Sequence, residues 1–155
     1  MKGNQFTLGL NNNMVKVNII NKSDNPLPSY AKKGDAGMDI RASEDVCIKA
    51  FDKAIIPTGI YLEIPEGYEC QIRSRSGLAA KYDVAVLNSP GTIDCGYRGE
   101  IKVILINHDF RNYDVKKGDR IAQMVFAPVT VAKFNEVTEL TDSERGEGGL
   151  GSTGK

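Results

Sequence analysis

Short runs in which apolar and polar residues alternate recur along the chain, each closed off by residues that set turn geometry. MVKVNII puts Val15, Val17 and Ile19 on one face, and DVCIKAF, GIYLEI, YECQIRS, VAVLN, EIKVILIN, RIAQMVF and VTVAKF follow. PTG, PEG, the NSPG group, CGYRG and KKGD separate them. A period of two with such punctuation predicts an all-β sandwich or barrel rather than an α/β fold. Only GLAAKYD, after Ser76, suits a helical turn or two. VILI at 103–106 and IAQMVF at 121–126 are apolar on both faces. In so small a fold that predicts a second buried surface, and a closed homo-oligomer supplies one.

With 155 residues the chain makes one domain with its own core. Residues 1–13, rich in Asn and Gly, read as a disordered extension, and beyond about Lys133 the alternation fades into a glycine-dense end. Twenty basic residues balance twenty acidic ones, which gives no electrostatic case for stable nucleic-acid binding or an anionic membrane surface. No apolar run approaches the roughly 18 residues of a membrane span. The N-terminus has neither the apolar core and cleavage site of a secretory signal nor the arginines of a transit peptide. Cys47, Cys70 and Cys95 are odd in number and without C-x-x-C spacing, which suits a reduced, cytoplasmic protein. The single histidine, His108, lies between Asn107 and Asp109 and reads as a surface turn residue, not a zinc ligand.

The chain closes on RGEGGLGSTGK, in which Gly149 to Lys155 matches the opening of a P-loop, G-x-x-x-x-G-K. A P-loop needs a strand before it and a helix after it, and TELTDSE is too polar to be that strand. What remains is a mobile peptide with phosphate-binding chemistry. Four internal segments share that chemistry: AGMDI (36–40), RSRSGLA (73–79), NSPGTIDCGYRGEI (88–101) and GDRIAQ (118–123). RSRSGLA sets guanidinium and hydroxyl donors beside a glycine a phosphate can approach closely. GTIDCGYRG reads as a hairpin, with a positive backbone angle at Gly96 and with Asp94 and Tyr97 on the two sides of one tight turn. GDRIAQ reads as a turn entering a buried strand, with Asp119 and Arg120 as an ion pair.

Taken in order, these five segments resemble the five motifs of the trimeric dUTPases, over about Met14 to Lys155. The resemblance implies a jelly-roll-like, distorted β-barrel at 14–135, assembled as a homotrimer. A C-terminal arm, 136–155, would close an active site shared between subunits. It implies hydrolysis of dUTP to dUMP and pyrophosphate by water attack at the α-phosphorus, limiting uracil in DNA and supplying dUMP for dTMP synthesis. Asp94 would activate the water and hold the ribose 3′-hydroxyl, with Gln123 assisting. Tyr97 would lie against the sugar and exclude a 2′-hydroxyl. Asn88, Gly91, Thr92, Ile93 and Lys102 complete the implied nucleoside contacts. The uracil edge, a donor at N3 and an acceptor at O4, leaves cytosine unpaired. Arg75, Ser76 and Gly77 would grip the phosphates. Arg145, Gly149, Leu150, Gly151, Ser152 and Thr153 would close over them.

Mg²⁺ is implied on the triphosphate oxygens, with Asp39 reaching it through bound water. Two positions depart from the family pattern. Leu150 stands where an aromatic, or sometimes His, usually stacks on the base, a difference of about 1 kcal/mol. Ser74 stands where Pro is common, which would loosen that turn. The related dCTP deaminases share the fold and part of the motif set, but the complete arm and the GTIDCGYRG segment favour the hydrolase.

Overall fold

The computed structural model describes residues 14–149; the expected extension at 1–13 and the arm residues Leu150, Gly151, Ser152 and Thr153 lie outside the described residues. Ten strands and one short helix run in the order β1 (Asn18–Asn21), β2 (Met38–Arg41), β3 (Val46–Ile48), β4 (Lys53–Glu63), β5 (Tyr68–Arg73), α1 (Ser76–Tyr82), β6 (Val84–Val86), β7 (Gly91–Ile93), β8 (Glu100–Asn107), β9 (Tyr113–Val115) and β10 (Arg120–Pro128). They form two four-stranded sheets, β1-β4-β8-β6 and β2-β10-β5-β7, and a two-stranded ribbon, β3-β9. All pairings are antiparallel, and among the described residues no ladder joins strands adjacent in sequence. This is the all-β architecture that the alternation predicts and the jelly-roll-like distorted barrel that the resemblance implies.

The core lies between the two large sheets. Ile56, Ile60 and Leu62 of β4 and Ile101, Val103 and Leu105 of β8 meet Ile40 of β2, Cys70 and Ile72 of β5 and Met124 of β10. Each fully buried aliphatic side chain contributes roughly 1.5–3 kcal/mol by leaving water. Cys70 is a core residue like any other: burial pushes its thiol up to about 12. The one buried polar side chain that spans elements at this end, Asn107, donates to the carbonyls of Lys49 and Arg111 at 3.2 and 2.8 Å, tying β8 to the loops around it.

Four sequence expectations are corrected by the packing. PTG does not end a strand: Pro57, Thr58 and Gly59 lie inside β4 as a bulge, where its register against β8 shifts. Thr58 Oγ1 donates to the Ile101 carbonyl at 2.6 Å, and Gly59 adopts φ of +70°. The bulge thus bends an eleven-residue strand without breaking it. The first strand begins only at Asn18, so MVKV precedes it outside any strand. VTVAKF forms no strand, and its side chains project into solvent, Val131 at 89% and Phe134 at 96% exposure. Among the described residues the alternation there has no strand to pair with.

GTIDCGYRGEI is not a hairpin either. β7 pairs with β5 in one sheet and β8 with β4 in the other, so the segment crosses from sheet to sheet. Gly96 accordingly needs no positive φ, and it has none. GLAAKYD, by contrast, is helical as predicted: Leu78 buries against the core and Asp83 closes the helix in the left-handed region at φ 54°. Both two-sided apolar strands bury one face in the core. The opposite face of the β1-β4-β8-β6 sheet keeps Ile55 60% exposed beside half-buried Ile104 and Ile106.

Candidate active site

The motif residues collect in two places on the β2-β10-β5-β7 sheet. In the first, antiparallel register puts Asp39 of β2 and Arg73 of β5 on either side of Gln123 of β10, one row across three strands. This row faces away from the core, because Ile72 and Met124 beside it point inward. Beyond Arg73 the chain turns into α1, whose first residues are Ser76 and Gly77 and whose N-cap is Arg75.

The two arginines of RSRSGLA take different partners. Arg73 bends along its own strand onto Gln71 Oε1, at 2.6 and 3.0 Å. Arg75 crosses to Asp39, Nε to Oδ1 at 2.8 Å, and donates from Nη1 to the Arg120 carbonyl at 3.0 Å. Arg120 then approaches the second oxygen of Asp39 at 3.3 Å. The expected Asp119–Arg120 pair is absent because these neighbours are drawn apart: Asp119 accepts the Lys116 backbone N–H at 2.9 Å and so closes the KKGD turn. Gln123 Nε2 donates to the Ser74 carbonyl at 3.0 Å, and its amide oxygen lies against the bare Cα of Gly37. The Ser74 hydroxyl accepts the Val86 N–H at 2.9 Å, fastening the loop to β6. The space above Gly77 is open, so its backbone is accessible to a bulky anion.

The second group lies at the other end of β5. Thr92 and Ile93 of β7 pair with Gln71 and Cys70, and Asp94 follows. The Tyr97 N–H donates to the Asp94 carbonyl at 3.1 Å, which places Asp94 and Tyr97 at the ends of one tight turn, as expected. A cavity of about 180 Å³ opens there, lined by Thr92, Ile93, Asp94, Tyr97, Glu100 and Lys102. Asn88 lies on the approach to β7, with its amide nitrogen beside Gly91. From the spacings of strands and of residues within them, Asp39 and Ile93 are about 14 Å apart across the sheet and about 10 Å apart along it. Asp94 and the Asp39–Gln123 row therefore cannot touch one phosphate within a single chain.

Arg145 sits apart from both groups, in a turn closed by Gly146 N–H to the Ser143 carbonyl, with its Nε donating to Gly148 O at 2.9 Å; Gly149 follows, exposed. Arg120, Gly37 and Glu100 belong to the two groups, yet composition does not single them out. The contacts of Arg120 with Asp39 and of Gly37 with Gln123 follow from the pairing of β10 with β2, and only the presence of Arg120 and Gln123 in the one segment GDRIAQ hints at it. No cluster of three metal-ligating side chains occurs among the described residues. Asp39, whose oxygens retain acceptor capacity beyond the two arginines, suits a cation held mainly by phosphate and water.

Such a barrel, with a carboxylate-and-tyrosine turn at one end of a sheet and an arginine-braced carboxylate at the other, is that of a nucleotide hydrolase. The dUTPase family model matches residues 23–154. The chain belongs to the dUTPase family. The deoxyuridine 5′-triphosphate nucleotidohydrolase of Clostridium tetani is 54% identical over 141 residues, covering 91% of this chain and 97% of that one. Among solved structures, the dUTPase of Staphylococcus bacteriophage 80alpha with dUPNHPP superposes with a TM-score of 0.84 at 30% identity, over 90% of this chain and 99% of that one. A mutant dUTPase from phage phi11 of S. aureus, described as revealing the coordination of a structural Mg(II) ion, gives a TM-score of 0.74 at 26% identity, over 80% and 97%.

Proposed function

We propose that the protein hydrolyses dUTP to dUMP and pyrophosphate, at sites shared between the subunits of a homotrimer. The observation that carries this reading is the separation of the Asp94–Tyr97 turn from the Asp39–Arg75–Gln123 row on one sheet. Each chain holds the parts of a site but not the site. A closed trimer brings the turn of one subunit against the row of the next, and the half-buried apolar face around Ile55, Ile104 and Ile106 supports association.

In the assembled site Asp94 accepts the proton of the attacking water and receives the ribose 3′-hydroxyl. Gln123, held by Ser74 O, orients the α-phosphate and the water. Asn88, Gly91, Thr92, Ile93 and Lys102 frame the nucleoside, and Tyr97 leaves no room for a 2′-hydroxyl. Arg75, Ser76 and Gly77 bind the phosphates, the Arg75 guanidinium being already oriented by Asp39. Asp39 would hold Mg²⁺ beside the phosphates through bound water, and the ion would there supply charge neutralisation for the triphosphate. The arm from 136 onward, with Arg145, Gly149, Leu150, Gly151, Ser152 and Thr153, closes on the far phosphate. A cytoplasmic setting accords with the thiol content, and no helix of the described residues is long and apolar enough to cross a membrane.

The test is a parallel assay of dUTP, dCTP, dTTP and UTP with Mg²⁺, resolving nucleotides and measuring both pyrophosphate and ammonia, together with the mass in solution. Pyrophosphate and dUMP from dUTP alone, by a particle three times the 16.9 kDa chain, is the expected result. Asp94→Asn should lower kcat by roughly 10²–10⁴ while leaving the fold intact. Ammonia from dCTP would move the protein to the deaminase branch.

A further inference from the structure

We infer that Gly99 is a specificity-determining residue that acts through Tyr97, an inference that rests on the dUTPase reading. Gly99 has no need of glycine for its backbone, since its φ is not positive. The need is spatial. A Cβ built there would lie 2.6 Å from Tyr97 Cζ and 3.0 Å from Cε2, and closer still to the hydroxyl oxygen. The ring lies across the bare Cα, drawn there by a hydrogen bond from its hydroxyl to the Glu100 carbonyl at 3.0 Å.

Glu100 is itself anchored from behind. Its Oε1 accepts the Gly59 N–H at 2.9 Å, inside the β4 bulge. Gly59 is a second obligatory glycine: it has φ of +70°, and a Cβ there would meet the Ser23 backbone nitrogen at 2.9 Å. The bulge thus holds Glu100, the Glu100 carbonyl holds the Tyr97 hydroxyl, and the missing side chain of Gly99 leaves the ring a seat. Tyr97 is otherwise 46% exposed, with nothing else among its hydrogen bonds to fix the ring. A methyl group at position 99 meets the end of a half-exposed side chain rather than backbone, so it unseats the ring at little expense to folding.

The test measures kcat/KM for dUTP and UTP in the wild-type chain, G99A, Y97A and G99A/Y97A, with the melting temperature of each. G99A is expected to narrow the dUTP-over-UTP ratio by on the order of tenfold, with a melting temperature near that of the wild type. In the Y97A background the same change should leave the ratio where Y97A alone puts it. An unchanged ratio in G99A, or an equal effect with and without Tyr97, overturns the proposal. Should G99A melt below the assay temperature, removing the ring it collides with must restore the melt; no restoration also overturns it. Wild-type chain that turns over no dUTP would instead bring down the hydrolase reading itself.

Discussion

Arg75 Nε sits 2.8 Å from Asp39 Oδ1, and the same guanidinium donates to the Arg120 carbonyl, so the arginine proposed to bind phosphate is held in place without any phosphate. Pre-orientation of this kind lowers the ordering cost of binding. Both side chains are about a quarter exposed, so the pair is only partly shielded from water.

Asp39→Asn keeps the shape and removes the charge. It should raise KM for dUTP about tenfold, about 1.4 kcal/mol, through a less ordered Arg75. Steady-state kinetics, with calorimetric binding of a triphosphate analogue and of dUMP in parallel, checks this. The analogue should lose far more affinity than dUMP.

Gly37→Ala acts on Gln123. A Cβ at position 37 would stand 3.2 Å from Gln123 Cδ and closer to its amide oxygen, so the side chain must leave the Ser74 carbonyl. The expected outcome is a fall in kcat of on the order of tenfold with little change in melting temperature, since a side-chain end moves rather than the backbone. A fall in stability without a fall in kcat would contradict it.

Two inactive chains should make one active enzyme. Asp94→Asn damages the turn and Arg75→Ala damages the row, each in a different part of the sheet. Unfolded together and refolded as a 1:1 mixture, they should regenerate about a quarter of the wild-type sites by random assembly of a symmetric trimer. Activity of the mixture no higher than that of the separate variants would place each site within one chain.

Cys70 gives a pH signature. Its folded thiol is pushed up to about 12 from 9.0 by burial, so above pH 9 the unfolded chain ionises while the folded one does not. Stability is therefore fully present below pH 9 and is lost as pH climbs toward 12, at up to about 1.4 kcal/mol per pH unit for one proton. Thermal melts from pH 8 to 11 should show a steeper decline in the wild type than in Cys70→Ala.

Alternation and turn residues made the strands legible, and the internal motifs named most of the residues that gather in the two groups on the β2-β10-β5-β7 sheet. What they could not supply was partnership. PTG has the composition of a turn, and contacts contributed from β8, to the Thr58 hydroxyl by the Ile101 carbonyl and to the Gly59 N–H by Glu100, hold it as a bulge. GTIDCGYRGEI has the residues of a hairpin, but β7 and β8 bury their apolar faces in different sheets, and burial outweighs a loop preference. VTVAKF alternates as a strand does, yet Phe134 finds nothing among the described residues to cover it. Asp119 and Arg120 look like partners because they are neighbours in sequence, while Arg120, paired with Arg41 across the β10–β2 ladder, reaches along β2 to Asp39.

Because no ladder among the described residues joins neighbouring strands, the protein has little it can settle early as it leaves the ribosome. β2 must wait for β10, and β4 for β8, before either large sheet exists. The loop-closure entropy comes first and the contacts that offset it come last, which places folding toward the slow, millisecond-to-second end for a domain of this size. A nascent chain stopped short of β10 would hold β2 and β5 with no strand between them, their edges open to other chains.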